Sequence, residues 1–339
     1  MEQTKRQIAE QAEEFLRTGR IGAVDPAALA EACDRQVSER SRSSLVEAQK
    51  LARSYARRAR SAPPALRLSA QRVLARISHM NSRHAEAEKA YLAARTLARS
   101  DALVRGRIDR ALVDVYMYLG DIAQSRKRAA MALRVFRAAG CAADVAMTKV
   151  NLANVLHRQD RHREAERLYL EAAEFFEQAG NDAAVARCSY NRANTLVQLF
   201  EMEEAERLYR ESFRLYDNLA RLIDATDARY GQAWLYMLQG KFHIALTELA
   251  ACEETYRTAG QHRGAALCEL DRAEVFLGLN LLADASEAAV VAEGAFRRLK
   301  LRYEMSKAAF FRAKAAYALG RRREANAALK RALRGFAAE

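Results

Sequence analysis

The polar residues of this chain are spaced for hydrogen bonding rather than for bond-making chemistry. Asn151-Leu-Ala-Asn154 and Asn191-Arg-Ala-Asn194 repeat one pattern forty residues apart. Asparagines three residues apart share a helix face, and each amide offers both donors and an acceptor. Such a face suits the backbone amides of an extended peptide. The same columns continue as Gly231 and Trp234, then Asp271 and Glu274. Trp234 is the only tryptophan, and its column makes it a candidate anchor for a ligand side chain.

Candidates for covalent or metal chemistry are weaker. Cys252 stands in the column of Ala172, Ser212 and Ala292, which predicts a small packing residue between helices and no nucleophile. His157 and His162 flank one turn, and His79 and His84 flank the equivalent turn two repeats earlier. A five-residue spacing across a turn is a poor match to the i, i+4 geometry of helical metal ligands, so exposed turn histidines and no metal site are expected. Neither a P-loop pattern nor a GxGxxG after a strand occurs. The expectation is a chain without enzymatic activity or cofactor.

The elements that position these residues are set by a repeat. Ala165, Ala205, Ala245, Ala285 and Ala325 are forty residues apart, with Ser125 and Ala87 continuing the series upstream. Eleven residues after each marker from Ser125 onward comes an aromatic: Phe136, Phe176, Tyr216, Tyr256, Phe296 and Phe336. Twelve residues before each marker comes a small or apolar residue, from Ala75 and Val113 to Ala313. Helical periodicity alone has no reason to realign at forty, so the chain is a tandem array. In the unit 141–180 the pattern predicts a first helix from Asp144 to His157, a polar turn, and a second helix from Arg163 to Gln178 closed by Gly180. Small residues let the two helices cross closely, and Tyr169 or Tyr209 fills the gap to the next hairpin.

The order small–Gly–Ala–aromatic–small resembles the tetratricopeptide repeat, carried by Ala153, Asp160, Ala165, Tyr169 and Ala172 and by Ala193, Phe200, Ala205, Tyr209 and Ser212. The period of forty rather than thirty-four and the missing closing proline depart from that consensus, and imply helices longer by most of a turn. The resemblance implies an all-α, right-handed superhelix of about seven to eight hairpins, with first helices lining a concave groove. It implies that the four asparagines face this groove. Of a carboxylate clamp it leaves Arg110 and Arg187 as cations, while Val150 stands where a Lys is common. Units closing in aromatic-x-x-x-Gly also resemble the repeat arm ahead of CHAT-type, caspase-like peptidase domains, with 295–304 and Gly320-Arg321 the most suggestive segment. Ala250-Ala-Cys252-Glu-Glu-Thr superficially resembles the nucleophile motif of such enzymes, but no His precedes a Gly.

Composition bounds the rest. The net charge of +13 is distributed as +12 over residues 1–140, −7 over 141–299 and +8 over 300–339. An acidic partner could dock on either basic end. The basic runs lack interleaved aromatics, which disfavours nucleic acid. The five cysteines are scattered without a CxxC, and the chain opens on charge rather than on an apolar run, so a cytoplasmic location without membrane attachment is expected, and the CHAT resemblance implies a bacterial source. Residues 1–64, with all three prolines, are expected to form an irregular helical cap, and 65–339 a single array. The last repeat shows no polar capping helix, which would leave its end open to self-association. The function expected is a scaffold holding an extended peptide or partner helix, with a protease-system sensor arm and a basic nucleic-acid adaptor as alternatives.

Overall fold

The computed structural model describes residues 2–337, and the regular structure among them is entirely helical. Three helices open the chain, α1 (Glu2–Thr18), α2 (Pro26–Ser43) and α3 (Leu45–Arg58), and a 3-10 turn at Ala59–Ser61 follows. Hairpins then succeed one another: α4 (Pro64–Met80) with α5 (His84–Leu97), α6 (Ala102–Tyr118) with α7 (Ile122–Ala138), and α8 (Ala142–His157) with α9 (His162–Gln178). The series continues as α10 (Asp182–Gln198) with α11 (Met202–Asn218), and α12 (Leu222–Leu238) with α13 (Phe242–Thr258). It reaches the end as α14 (His262–Gly278) with α15 (Leu282–Leu299), and α16 (Arg302–Ala318) with α17 (Arg322–Phe336). This is the helical-hairpin solenoid that the resemblance implies.

The forty-residue period divides into two halves of twenty. From Gly120 to Gly320 every twentieth residue has a left-handed backbone, whether it is Gly, Asp160, Phe200, Ala220, Asn280 or Lys300. The amide that follows reaches back across the turn, as from Arg161 to the Leu156 carbonyl at 3.0 Å and from Arg221 to Tyr216 at 2.9 Å. This six-residue closure satisfies carbonyls that the helix end leaves open. The turn glycines were legible in the sequence. Phe200, Ala220 and Lys300 were not, because the array imposes the conformation there on side chains that do not favour it. At the other helix ends Asp25 accepts from the Ala28 amide at 2.9 Å, ahead of Pro26 in the first turn, as the sequence predicts.

The three sequence columns are the crossing points. Each marker from Ala87 to Ala285 is fully buried, as are the facing residues from Ala75 to Ala273. The Ser125 hydroxyl donates to the Val113 carbonyl at 2.7 Å, so the marker of α7 directly touches the column of α6. Phe136 and Phe296 are fully buried, each contributing roughly 1.5–3 kcal/mol by burial. Phe336, the last of its column, is 39% exposed.

The chain packs as two compact units, Met1–Phe176 and Glu177–Glu339, divided within the last turn of α9. In the first unit α1, α2, α3 and α4 share one core built on Phe15, Leu29, Tyr55, Leu66 and Ile77. Phe15 meets Tyr55 edge-on, with ring centroids 5.9 Å apart. In the second unit one such cluster joins α14, α15 and α16 through Leu270, Ala289, Phe296 and Phe311. Among the described residues no helix is long and apolar enough to cross a membrane.

Candidate functional site

Cys252 is fully buried, and its thiol lies 3.8 Å from the Thr226 carbonyl. Forty residues earlier Ser212 donates to the Ala186 carbonyl at 2.8 Å, the same contact one repeat back. Burial pushes the Cys252 thiol up to about 12, opposite to what a thiolate nucleophile needs. The packing role predicted from its column holds.

The turn histidines are not exposed as expected; His79, His84, His157 and His162 are all half-buried. His79 and His84 bring their Nδ1 atoms to 3.2 Å. The His84 ring stacks on Tyr118 at 4.7 Å, and the Arg158 guanidinium lies 4.5 Å from the Tyr118 ring centre. Burial pushes His79 down to about 4, and burial followed by the Arg158 charge lowers His84. His79 and His84 pack the turn edges of successive hairpins. Among the described residues no group of three or more His, Cys, Asp or Glu is arranged to hold a metal ion.

In the first unit the predicted residues tie repeats together. The Asn151 amide donates to Asp114 at 2.9 Å and to the Arg110 carbonyl at 3.3 Å, bridging α8 to α6. Asn154 accepts the Tyr169 hydroxyl at 2.6 Å, joining α8 to α9. Arg110 pairs with Asp144 at 2.5 Å and lies over Phe136, with Arg107 completing the pair at 3.3 Å. Its charge is thus drawn to Asp144.

In the second unit α10, α12, α14 and α16 touch in succession and present one face of first helices. Asn194 accepts the Tyr209 hydroxyl at 2.6 Å, repeating the Asn154 contact forty residues on. Asn191 is half-buried on the same helix, and Arg187, one turn before it, is exposed. Trp234 is half-buried and packs on the apolar cluster of Ala193, Leu196, Tyr209 and Leu235. The asparagine column stops at Gly231 for a steric reason: a Cβ there would lie 2.5 Å from the Tyr209 ring. Arg187, Asn191, Asn194 and Trp234 therefore belong to one face, while Arg110, Asn151 and Asn154 belong to the first unit.

The structure adds residues to this face that the asparagine columns did not single out. Tyr190 meets Tyr209 edge-on at 6.0 Å. Asp227 is exposed and accepts the Tyr256 hydroxyl at 2.5 Å. Tyr230 donates to Asp271, which is buried. Burial pushes the Asp271 carboxyl up to about 6. Tyr190 and Tyr230 stand one residue before Asn191 and Gly231, a forty-residue aromatic pair that was legible in the sequence. Glu274 pairs with Lys307 at 3.1 Å further along the face.

The tetratricopeptide repeat model matches residues 144–218, the stretch that holds α8 to α11. No curated protein matches the sequence. Among solved structures, the chain is similar to the apo form of the quorum sensor NprR from B. thuringiensis, at 14% identity over 99% of this chain and 94% of that one, with a TM-score of 0.68. A Rap protein complexed with Competence and Sporulation Factor is 13% identical over 95% of this chain and 99% of its own, with a TM-score of 0.64. A signal transduction ATPase with a tetratricopeptide repeat sensor from Pyrococcus horikoshii is 13% identical over 98% of this chain and 52% of that one, with a TM-score of 0.65. At these identities the likeness establishes the shared fold.

Proposed function

We propose that the chain is a non-enzymatic interaction scaffold that holds an extended peptide or partner helix on its first-helix face, in a concave groove. The observation that carries this reading is the composition of that face in the second unit. Polar and aromatic groups that can address a peptide backbone and side chains, Tyr190, Asn191, Asp227 and Trp234, are solvent-accessible on stacked helices. Rigid secondary structure holds them, so little ordering is required on binding. Fold neighbours support it: a Rap protein is complexed with Competence and Sporulation Factor and NprR with its cognate peptide. Five free thiols, four of them buried, suit the cytoplasm.

The role of the asparagines divides within this reading. Asn154 and Asn194 accept tyrosine hydroxyls of their own hairpins and shape the face, and Asn191, Arg187, Asp227 and Trp234 are the contact positions by their place on its helices. The test is selection of a displayed peptide library against the whole protein, followed by hydrogen exchange with the selected peptides. Protection of α10, α12 and α14, lost on Asp227→Arg and Asn191→Arg, is the expected result. Protection confined to second helices, or unchanged by those variants, would overturn the reading.

A second reading is the sensor arm of a larger signalling protein, such as a CHAT-type protease system. It is supported by the Pyrococcus ATPase, in which a repeat sensor is part of a protein twice the matched length. The CHAT assignment itself rests on residues 295–304. A protease domain encoded in the same or an adjacent gene is its test.

A further inference from the structure

A second surface, in the first unit and far in sequence from the face above, has the chemistry of a binding site. Two contiguous hollows, of about 510 and 360 Å³, open between α3 with its 3-10 turn and the hairpin of α4 and α5. They share Ala56, Arg60 and Gln71. Their floor is apolar, with Leu97 and buried Ala59 in one hollow and Leu74 in the other. Their walls are cationic, carrying Arg53, Arg57, Arg60 and Arg67.

The walls differ in how their charge is used. Arg53 is held by a two-pronged pair with Glu86, at 2.7 and 2.8 Å. Arg57, Arg60 and Arg67 are exposed and make no ion pair among the described residues. Many guanidinium groups on this solenoid do find carboxylates, so three unpaired ones around a single apolar-floored cleft form a local positive field. The neighbouring sequence reinforces it, since residues 1–140 carry 27 Lys and Arg against 15 Asp and Glu.

We infer that this cleft binds an acidic peptide segment, whose carboxylates pair with Arg57, Arg60 and Arg67 while an apolar side chain sits on the floor at Ala59 and Leu97. Guanidinium forks match carboxylates in two-point geometry, and the apolar floor gives such a segment an anchor that charge alone lacks. A single nucleic-acid strand is disfavoured, because no aromatic lines the cleft to stack a base. The inference does not depend on the first-helix face, which lies in the other unit.

The test uses the whole protein and fluorescence anisotropy. The probe is a labelled peptide of four Glu-Glu-Leu repeats, compared with Glu-Glu-Ser repeats and with a twelve-nucleotide single-stranded DNA. The leucine peptide is expected to bind at least tenfold more tightly than the serine peptide. Arg57→Glu, Arg60→Glu and Arg67→Glu together should weaken it at least tenfold. Arg126→Glu, Lys127→Glu and Arg134→Glu, an equal charge change on exposed α7 positions of the same unit, should weaken it less than threefold. Arg60→Gln alone, at an exposed position common to both hollows, gives the same reading at about threefold should the triple variant not fold. Equal loss in both triples, no effect of leucine, or displacement of the peptide by DNA at equal concentration would overturn the inference.

Discussion

The Tyr209 hydroxyl donates to Asn194 Oδ1 at 2.6 Å, locking the second helix of a hairpin to the first, and Tyr169 does the same to Asn154 one repeat earlier. Removing the donor leaves a half-buried amide to find water. Tyr209→Phe and Tyr169→Phe should each cost about 1 kcal/mol. Asn194→Ala should cost more, roughly 1–3 kcal/mol, because it leaves the enclosed phenol without its acceptor. Urea unfolding of the variants measures both, and equal stabilities of wild type and Tyr209→Phe would count against the structural role.

Cys252 and Ser212 offer a comparison within one molecule, since both point at the carbonyl twenty-six residues before them. Cys252→Ser should fold and change stability by less than about 1 kcal/mol, as the hydroxyl can take the carbonyl that Ser212 takes in its own repeat. In native protein treated with iodoacetamide, half-buried Cys141 should be alkylated first and Cys252 last, read by peptide mass spectrometry.

Asp271 predicts an unusual pH dependence. Its folded-state carboxyl is raised from 3.8 to about 6 by burial, offset in part by the Tyr230 hydrogen bond and by Lys307. Between those values the folded state binds more protons than the unfolded state, so stability falls as pH rises and levels off above about 6. Asp271→Asn keeps an acceptor for Tyr230 and removes the titration. It should therefore flatten this window, gaining on the order of 2 kcal/mol relative to wild type between pH 4 and pH 7. Unfolding at both pH values checks the sign; a variant that lost stability with rising pH as steeply as wild type would refute it.

These three relationships show where sequence reading stops. The columns through Ala165, Ala153 and Phe176 declare themselves because every repeat obeys the same packing constraint. Asn151 and Asn154 looked like equivalent groove residues, yet one bridges to α6 and the other to α9. That difference depends on rotamer and on the neighbouring repeat. The Tyr230–Asp271 pair spans forty-one residues and two different column positions, so no single column contains it. Arg110 was legible as a cation but not as the partner of Asp144, and the packed histidines follow from Tyr118 and Arg158 on neighbouring hairpins.

Turn residues give a fourth prediction. No atom lies within 4 Å of the position a Cβ would take at Gly180, so Gly180→Ala costs only the left-handed backbone, roughly 1 kcal/mol. Ala220, already in that conformation, should show the reverse: Ala220→Gly should raise thermal stability by a comparable amount. Melting curves of the two single variants make the comparison.

The left-handed residue at every twentieth position also makes the chain modular in a strict arithmetic sense. Adding or losing twenty residues would exchange first helices for second ones and turn marker alanines away from their partners. Forty restores every register at once. Excising 221–260 joins Ala220 to Gln261, two positions with equivalent neighbours, and the seam reads as an ordinary turn. Length in such a protein can change by whole hairpins through recombination at any pair of matching turns, with the first-helix face of each hairpin carried along as a unit.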